Sequence, residues 1–213
     1  MPRASQLYKF IHTNSLLLVL LLLNGCATLK PKDITTTETL SQLTVFQVNG
    51  RLAIIQPQQK QSAYFYMQQN NQEYKLTVNT FLGINLFTAQ RDSQGIIIET
   101  NEQTYVSSQP QQLLFELTGW WLPLDELHAW LKADLKSSQG AITFYESDNN
   151  SPLTQANIKS FKPSCQQLYC PNRVTITYNK YQAVGKLVLP FSITIDVAGE
   201  QEQSIRIKIK EWL

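Results

Sequence analysis

The sequence has little charge and few of the residues that perform chemistry. Charged residues make up 16% of the 213 positions, against about a quarter in an average soluble domain, and only two histidines and three cysteines are present. The sequence contains no Gly-x-Ser-x-Gly elbow, no His-Glu-x-x-His pair, no Gly-rich phosphate loop and no evident metal-ligand cluster. It therefore predicts a protein that is not an enzyme and that uses neither a cofactor nor a metal.

The first 25 residues have the layout of an export signal. Arg3 and Lys9 precede an apolar run over residues 16–23, which is shorter than the roughly 20 residues that a membrane-spanning helix needs. The run ends in Leu23-Asn24-Gly25-Cys26, which resembles a bacterial lipobox, where the cysteine is acylated and becomes the first residue after cleavage. We interpret residues 1–25 as a lipoprotein signal peptide and Cys26 as the lipidated residue. An ordinary export signal that ends near a cysteine is the alternative.

Lipidation at Cys26 predicts a protein that is anchored in a membrane by acyl chains. Each buried acyl CH₂ contributes about 0.8 kcal/mol, so the acyl chains anchor the protein without a spanning helix. Ala27 follows Cys26, and by the sorting rule for bacterial lipoproteins a residue other than aspartate directs the chain to the outer membrane. Loss of Arg3 and Lys9 would leave the basic residues equal in number to the 16 acidic ones, which gives no reason to expect nucleic acid as a partner.

The mature chain divides into a tether and a β-rich domain. Residues 26–39 have no apolar periodicity and read as a flexible tether, whereas residues 40–213 alternate apolar and polar positions, as half-buried strands do. We predict about ten antiparallel strands in a strongly curved sheet, with a bulge at Asn49-Gly50 and a hairpin loop over residues 56–61. Between two β regions, the segment 111–130 predicts two short helices over the concave face, one ending at Gly119 and one beginning at Pro123.

Two further features have more than one interpretation. Cys165 and Cys170 are an even pair in an exported chain, so we predict a disulfide at the end of a hairpin, with free thiols as the alternative. The segment Thr80–Asn85 lies where a hairpin turn is expected, yet Phe81, Leu82 and Ile84 around Gly83 are apolar, although turns are normally polar. Leu82 either projects from this turn or packs beneath it.

Five segments in order resemble the LolB family of outer-membrane lipoproteins, and the resemblance covers nearly the whole chain. The segments are Asn49-Gly50-Arg51-Leu52-Ala53, Ala63-Tyr64-Phe65-Tyr66-Met67-Gln68-Gln69, Phe81-Leu82-Gly83, Leu117-Thr118-Gly119-Trp120-Trp121-Leu122-Pro123-Leu124 with Trp130-Leu131, and Ile205-Arg206-Ile207-Lys208-Ile209-Lys210-Glu211-Trp212. The resemblance implies a mainly β fold with a small α part: an incomplete, half-open antiparallel β-barrel with a helical lid over an apolar cavity, like LolA and LolB.

The resemblance also implies a function and residue roles. Members receive lipoproteins from the periplasmic carrier LolA, hold the acyl chains in the cavity and insert the cargo into the outer membrane. The family's protruding loop matches Phe81, Leu82, Gly83 and Ile84, and its functional leucine matches Leu82; Phe81 stands where the family often has Pro. A cavity tryptophan matches Trp130, and Met67 replaces a second one. The expected cavity wall is Phe65, Met67, Leu76, Val78, Leu117, Leu127 and Trp130.

Plainer interpretations accompany these roles. Trp130 and its neighbours could form a filled core without a cavity. Arg206, Lys208 and Lys210 could contact anionic lipid or an acidic carrier, but we expect them to be the solvated face of an edge strand. The whole chain could instead be a structural or assembly lipoprotein that binds another envelope protein by strand addition, without acyl-chain transfer. Of these two functions we expect that of the lipoprotein receptor. We expect the protein to be a monomer that faces the periplasm.

Overall fold

Eleven strands form one antiparallel sheet in the computed structural model, which describes residues 39–93, 95–135, 142–145, 155–158, 171, 173–199 and 202–213. The strands are β1 (Val45–Gln56), β2 (Gln59–Asn70), β3 (Glu73–Asn79), β4 (Asn85–Asp92), β5 (Gly95–Glu99), β6 (Thr104–Ser107), β7 (Ile142–Tyr145), β8 (Gln155–Ile158), β9 (Arg173–Val184), β10 (Leu187–Ala198) and β11 (Gln203–Trp212). Cys26, Cys165, Cys170 and the predicted tether up to residue 38 lie outside the described residues.

The sheet order places the first and last strands side by side at the centre. The order is β6-β5-β4-β3-β2-β1-β11-β10-β9-β8-β7, and each neighbouring pair is antiparallel. Strands β6 and β7 are therefore the two edges, and the described sheet is open. This confirms the predicted mainly β, half-open antiparallel architecture.

One face of the sheet, which we call the inner face, carries the core. Along β1, Phe46, Val48, Leu52 and Ile54 are buried, Gly50 at the bulge is buried as well, and the other residues between them are exposed or partly exposed. The same alternation holds along β11, as the sequence predicts. A register shift between Asn49 and Gly50 confirms the predicted bulge.

Two helices connect the halves of the sheet. Helix α1 (Pro110–Thr118) has Pro at its first turn and ends at Gly119, whose φ of 71° is the left-handed conformation that glycine adopts easily. Helix α2 (Leu127–Lys132) begins four residues later than the predicted start at Pro123, because residues 124–126 form a turn. A 3₁₀ turn, Leu40–Gln42, precedes β1. In the described part of the chain, no helix has the length and hydropathy needed to span a membrane.

Two sequence predictions about strands are wrong. Strand β11 is not an edge strand, because it pairs with β1 on one side and β10 on the other. The basic residues along it therefore do not protect a free edge. The hairpin loop predicted over residues 56–61 is a tight turn, since β1 extends to Gln56 and β2 begins at Gln59. A polar stretch with one proline looks like a loop, but cross-strand pairing continues through it.

Gly50 allows β1 and β11 to approach closely, and its replacement tests this packing. A Cβ at Gly50 would overlap the carbonyl oxygen of Lys208 and lie 2.9 Å from Cε1 of Phe65. Because a backbone carbonyl cannot rotate away, Gly50→Ala should lower the free energy of unfolding by about 3 kcal/mol. Urea denaturation measures this loss, and Ser62→Ala on the exposed face should change it by less than about 0.5 kcal/mol. Equal stability of Gly50→Ala and the unmodified protein would contradict the close approach.

Candidate functional site

The turn between β3 and β4 projects three apolar side chains into solvent. Phe81 is 76% exposed, Leu82 72% and Ile84 54%; we call these three side chains the apolar tip. The turn is closed by hydrogen bonds, because the Thr80 N–H donates to the Ile84 carbonyl (2.8 Å) and the Gly83 N–H donates to the Thr80 carbonyl (3.0 Å). The Ile84 N–H donates to Thr80 Oγ1 (3.1 Å). The tip is thus held outward by its backbone, and Leu82 does not pack beneath its own turn.

The predicted cavity residues come together beneath the helices. Six of them are buried in one apolar cluster and Leu117 packs against it, partly buried. The six are Phe65, Met67, Leu76, Val78, Leu127 and Trp130. Strands β2 and β3 supply the first four through their inward positions, and α2 supplies the last two. These residues therefore belong to one packed core, and an acyl-chain cavity among them stays a prediction.

Trp130 is the largest contribution of α2 to this cluster. Its side chain is 1% exposed and its ring centroid lies 6.2 Å from that of Trp121. The indole N–H donates to Glu126 Oε2 (3.1 Å), so the polar atom of the ring is satisfied although the ring is buried. Trp120 is buried as well, and its indole N–H donates to Gln61 Oε1 (3.1 Å).

A few polar contacts hold residues 110–135, which we call the lid segment, against the sheet. The Tyr178 hydroxyl donates to the Trp130 carbonyl (2.9 Å), and Gln56 Nε2 donates to the Gly119 carbonyl (2.8 Å). The side chain of Gln203 bonds both the N–H and the carbonyl of Trp121. Arg91 on β4 forms an ion pair with Asp125. Each such bond contributes only about 1 kcal/mol, and the bonds add to the apolar packing of the buried lid residues in the core.

Lys132 ties the end of α2 to the start of the domain. Its buried ammonium donates to the carbonyls of Leu40 (3.1 Å) and Leu43 (2.9 Å), and Asp134 Oδ2 lies 3.7 Å away. Burial lowers the pKa of Lys132, while the carboxylate of Asp134 opposes that shift. Because Leu40 borders the predicted tether, Lys132 connects the lid segment to the part of the chain that leads to the anchor.

Sequence reasoning missed three of the residues that hold the lid segment. Gln203 had a signal, since it is a polar residue at an inward position of the alternating strand that continues with Ile205 and Ile207. Tyr178 and Lys132 gave none: Tyr178 reads as an ordinary strand aromatic, and a lysine in a short helix is normally solvated. Their roles depend on which elements meet in space.

His128 on α2 makes the stability of the lid segment depend on pH. Burial, and secondarily the positive charge of Lys132, lower the pKa of His128 below its ordinary value. As pH falls through about 6.5, the unfolded chain therefore takes up a proton before the folded protein does, and the free energy of unfolding decreases until the folded pKa is passed. Denaturation midpoints between about pH 7.5 and 5.5 should fall, and His128→Gln should reduce that fall. An identical pH profile in both proteins would contradict a partly buried imidazole that stays neutral in the folded protein.

The open sheet with its helices has the fold of a protein of known structure. A LolA superfamily protein from Nitrosomonas europaea superimposes with a TM-score of 0.52 at 9% identity, covering 79% of this chain and 84% of that one. At that identity the likeness concerns the fold alone. The class that fold and site define is a LolA/LolB-like half-barrel with an apolar interior.

Sequence comparison identifies the family. The family model "Outer membrane lipoprotein LolB" matches residues 44–212. The outer-membrane lipoprotein LolB of Aeromonas salmonicida is 35% identical over 199 residues, covering 91% of this chain and 92% of the relative. That of Vibrio cholerae is 30% identical over 200 residues, covering 91% of both. The chain belongs to the LolB family, which places it in the outer membrane of a Gram-negative bacterium as a lipid-anchored protein of lipoprotein localisation.

Proposed function

We propose that this protein is the outer-membrane receptor that takes lipoproteins from a LolA-type periplasmic carrier and inserts them into the outer membrane. The observation that carries the proposal is the apolar tip, three large side chains held in solvent on a protein whose family is lipid-anchored. An exposed apolar group of this kind indicates a surface that meets a membrane or another apolar partner. The protein acts as a monomer, with Cys26 as its anchor, and catalyses no bond-making step.

Reception depends on the apolar cluster beneath the lid segment. The acyl chains of the cargo would enter between the lid segment and the inner face of β2 and β3, where Met67 and Val78 lie. Entry breaks the polar contacts of Tyr178, Gln203 and Arg91 with the lid segment, each worth about 1 kcal/mol. It also separates apolar side chains of the lid segment, such as Trp130, from the core, and burial of acyl surface offsets both losses. Transfer is then a passive exchange: a tenfold preference over the carrier requires only about 1.4 kcal/mol.

Delivery depends on the apolar tip. Moving Phe81, Leu82 and Ile84 from water into the apolar part of a bilayer gains roughly 1.5–3 kcal/mol for each side chain that is fully buried. The hydrogen-bonded turn around Gly83 holds them outward before they meet the membrane, so little conformational entropy is lost on insertion. The tip thus brings the loaded protein to the bilayer, where the acyl chains can leave.

Binding of a fluorescent acyl probe tests reception against the structural alternative. We would use the mature chain with Cys26→Ala, so that its own anchor does not compete. The receptor should bind the probe, and a lipopeptide should displace it, whereas a peptide of the same sequence without acyl chains should not. No binding at all would favour a lipoprotein that pairs with another envelope protein through an edge strand such as β6.

A further inference from the structure

The outer face of the sheet carries a cleft that is lined by four cations and borders the apolar tip. The cleft has a volume of about 350 Å³. Its charged and aromatic lining, which we call the basic cleft, consists of Arg51, Lys60, Tyr64, Phe81, Arg206 and Lys208. Phe81 belongs to the apolar tip, so the tip and the cations share one surface. None of the described residues that line the cleft is acidic.

The cations come from three adjacent strands. Arg51 on β1 lies opposite Lys208 on β11 and Tyr64 on β2. Lys60 precedes Tyr64 on β2, and Arg206 precedes Lys208 on β11. All four cationic side chains are exposed, and within the described ranges none has a carboxylate within 4.0 Å. The Arg51 guanidinium lies over the Tyr64 ring, 5.0 Å from its centroid, which orients it without neutralising it.

Protection of a sheet edge does not explain these charges, because β11 is a central strand. Like charges on neighbouring strands repel each other and lower stability. These neighbouring cations lower stability and do not protect a sheet edge. A ligand of opposite charge would explain why they lie together. Arginine and lysine side by side suit phosphate oxygens, which accept hydrogen bonds from both.

We propose that the basic cleft binds the phosphate groups of anionic phospholipids while the apolar tip enters the acyl layer beside them. Membrane attachment combines apolar insertion with electrostatic attraction to anionic lipid. Phe81 belongs to both the apolar tip and the basic cleft, so the two contributions act at one surface. The cleft gives the protein a preferred orientation, with the outer face of β1, β2 and β11 toward the headgroups. This inference deepens the proposed function, since it names the lipid class that the delivery surface contacts.

Vesicle binding tests the proposal. The mature chain with Cys26→Ala is mixed with vesicles of phosphatidylethanolamine alone or with a minor fraction of phosphatidylglycerol, and bound protein is measured by co-sedimentation at low and high salt. Phosphatidylglycerol should strengthen binding, and Arg206→Glu with Lys208→Glu should weaken that binding about tenfold or more. Lys75→Glu with Lys210→Glu makes the same change of charge at exposed positions outside the cleft and should weaken it about threefold at most.

The results distinguish failure of the basic-cleft proposal from failure of the proposed receptor function. Equal weakening by the two double variants, or binding that ignores phosphatidylglycerol, would overturn the basic cleft. If the cleft variant binds vesicles normally but no longer accepts cargo from the carrier, the cleft is instead a docking surface for an acidic face of that carrier, and the proposal is wrong. Failure of the unmodified protein to accept cargo, with cleft-dependent vesicle binding intact, would refute the proposed receptor function and leave this inference standing.

Discussion

Leu82→Glu should separate reception of cargo from its delivery. The substitution places a carboxylate at the centre of the apolar tip, and both the lost apolar burial and the cost of moving a charge toward the bilayer oppose insertion. Together these effects should slow delivery about 30-fold or more, equivalent to about 2 kcal/mol. Because Leu82 is exposed and does not belong to the buried cluster, uptake from the carrier should be almost unchanged. A labelled lipoprotein, followed through carrier, receptor and liposome fractions, measures both steps.

Val106→Glu is the matched control for this substitution. Val106 on edge strand β6 is 79% exposed, so the change introduces the same charge at an exposed apolar position away from the tip. It should deliver cargo at the rate of the unmodified protein. Normal delivery by Leu82→Glu would show that Leu82 is an ordinary turn residue, and loss of uptake would show that the tip meets the carrier and not the membrane.

Trp130→Ala should produce a large loss of stability. The side chain is buried, packs beside Trp121 and bonds Glu126. Removal of so large a group should lower the free energy of unfolding by about 3–5 kcal/mol, measured by urea denaturation. Where enough protein stays folded, acyl-probe binding should weaken as well, because the substitution removes part of the proposed cavity wall.

Trp130→Phe tests whether the position is packed or lines open space. Phenylalanine keeps most of the apolar contact but gives up the hydrogen bond to Glu126, so it should lose roughly half of the stability lost by Trp130→Ala. If Trp130→Ala costs less than about 1 kcal/mol, the ring does not pack in a filled core, and the buried cluster of this structure would have to be more open than its side-chain contacts indicate.

Much of the fold was predictable because its strands have one solvent-exposed face and one buried face. The alternation along β3 and β11 follows directly from Tyr74, Leu76 and Val78 in the first strand and Ile205 and Ile207 in the second. The Asn49-Gly50 bulge and the glycine that ends α1 are equally local signals. Strand order is different, because pairing of β1 with β11 joins the two ends of the domain and no local pattern records it. For that reason β11 was wrongly predicted to be an edge strand.

The candidate site also combines features that the sequence predicts with features that only the fold shows. An apolar turn around Gly83 stands out in the sequence, and its exposure in the fold follows from short-range hydrogen bonds. The contacts of Gln203, Tyr178 and Lys132 with the lid segment join residues distant in sequence. Their partners could therefore not be predicted, although the inward polar position of Gln203 was visible. The basic cleft needed both strand order and the position of Phe81, since only the fold brings Arg51, Lys208 and the turn together.

The most direct test of the receptor function is transfer by the unmodified, lipidated protein. A LolA-type carrier is charged with a labelled lipoprotein and mixed with liposomes that contain this protein, without nucleotide. Label should leave the carrier and appear in the liposomes at a rate that rises with receptor concentration, and liposomes without the receptor should acquire little. Label that stays on the carrier at every receptor concentration would contradict the receptor function.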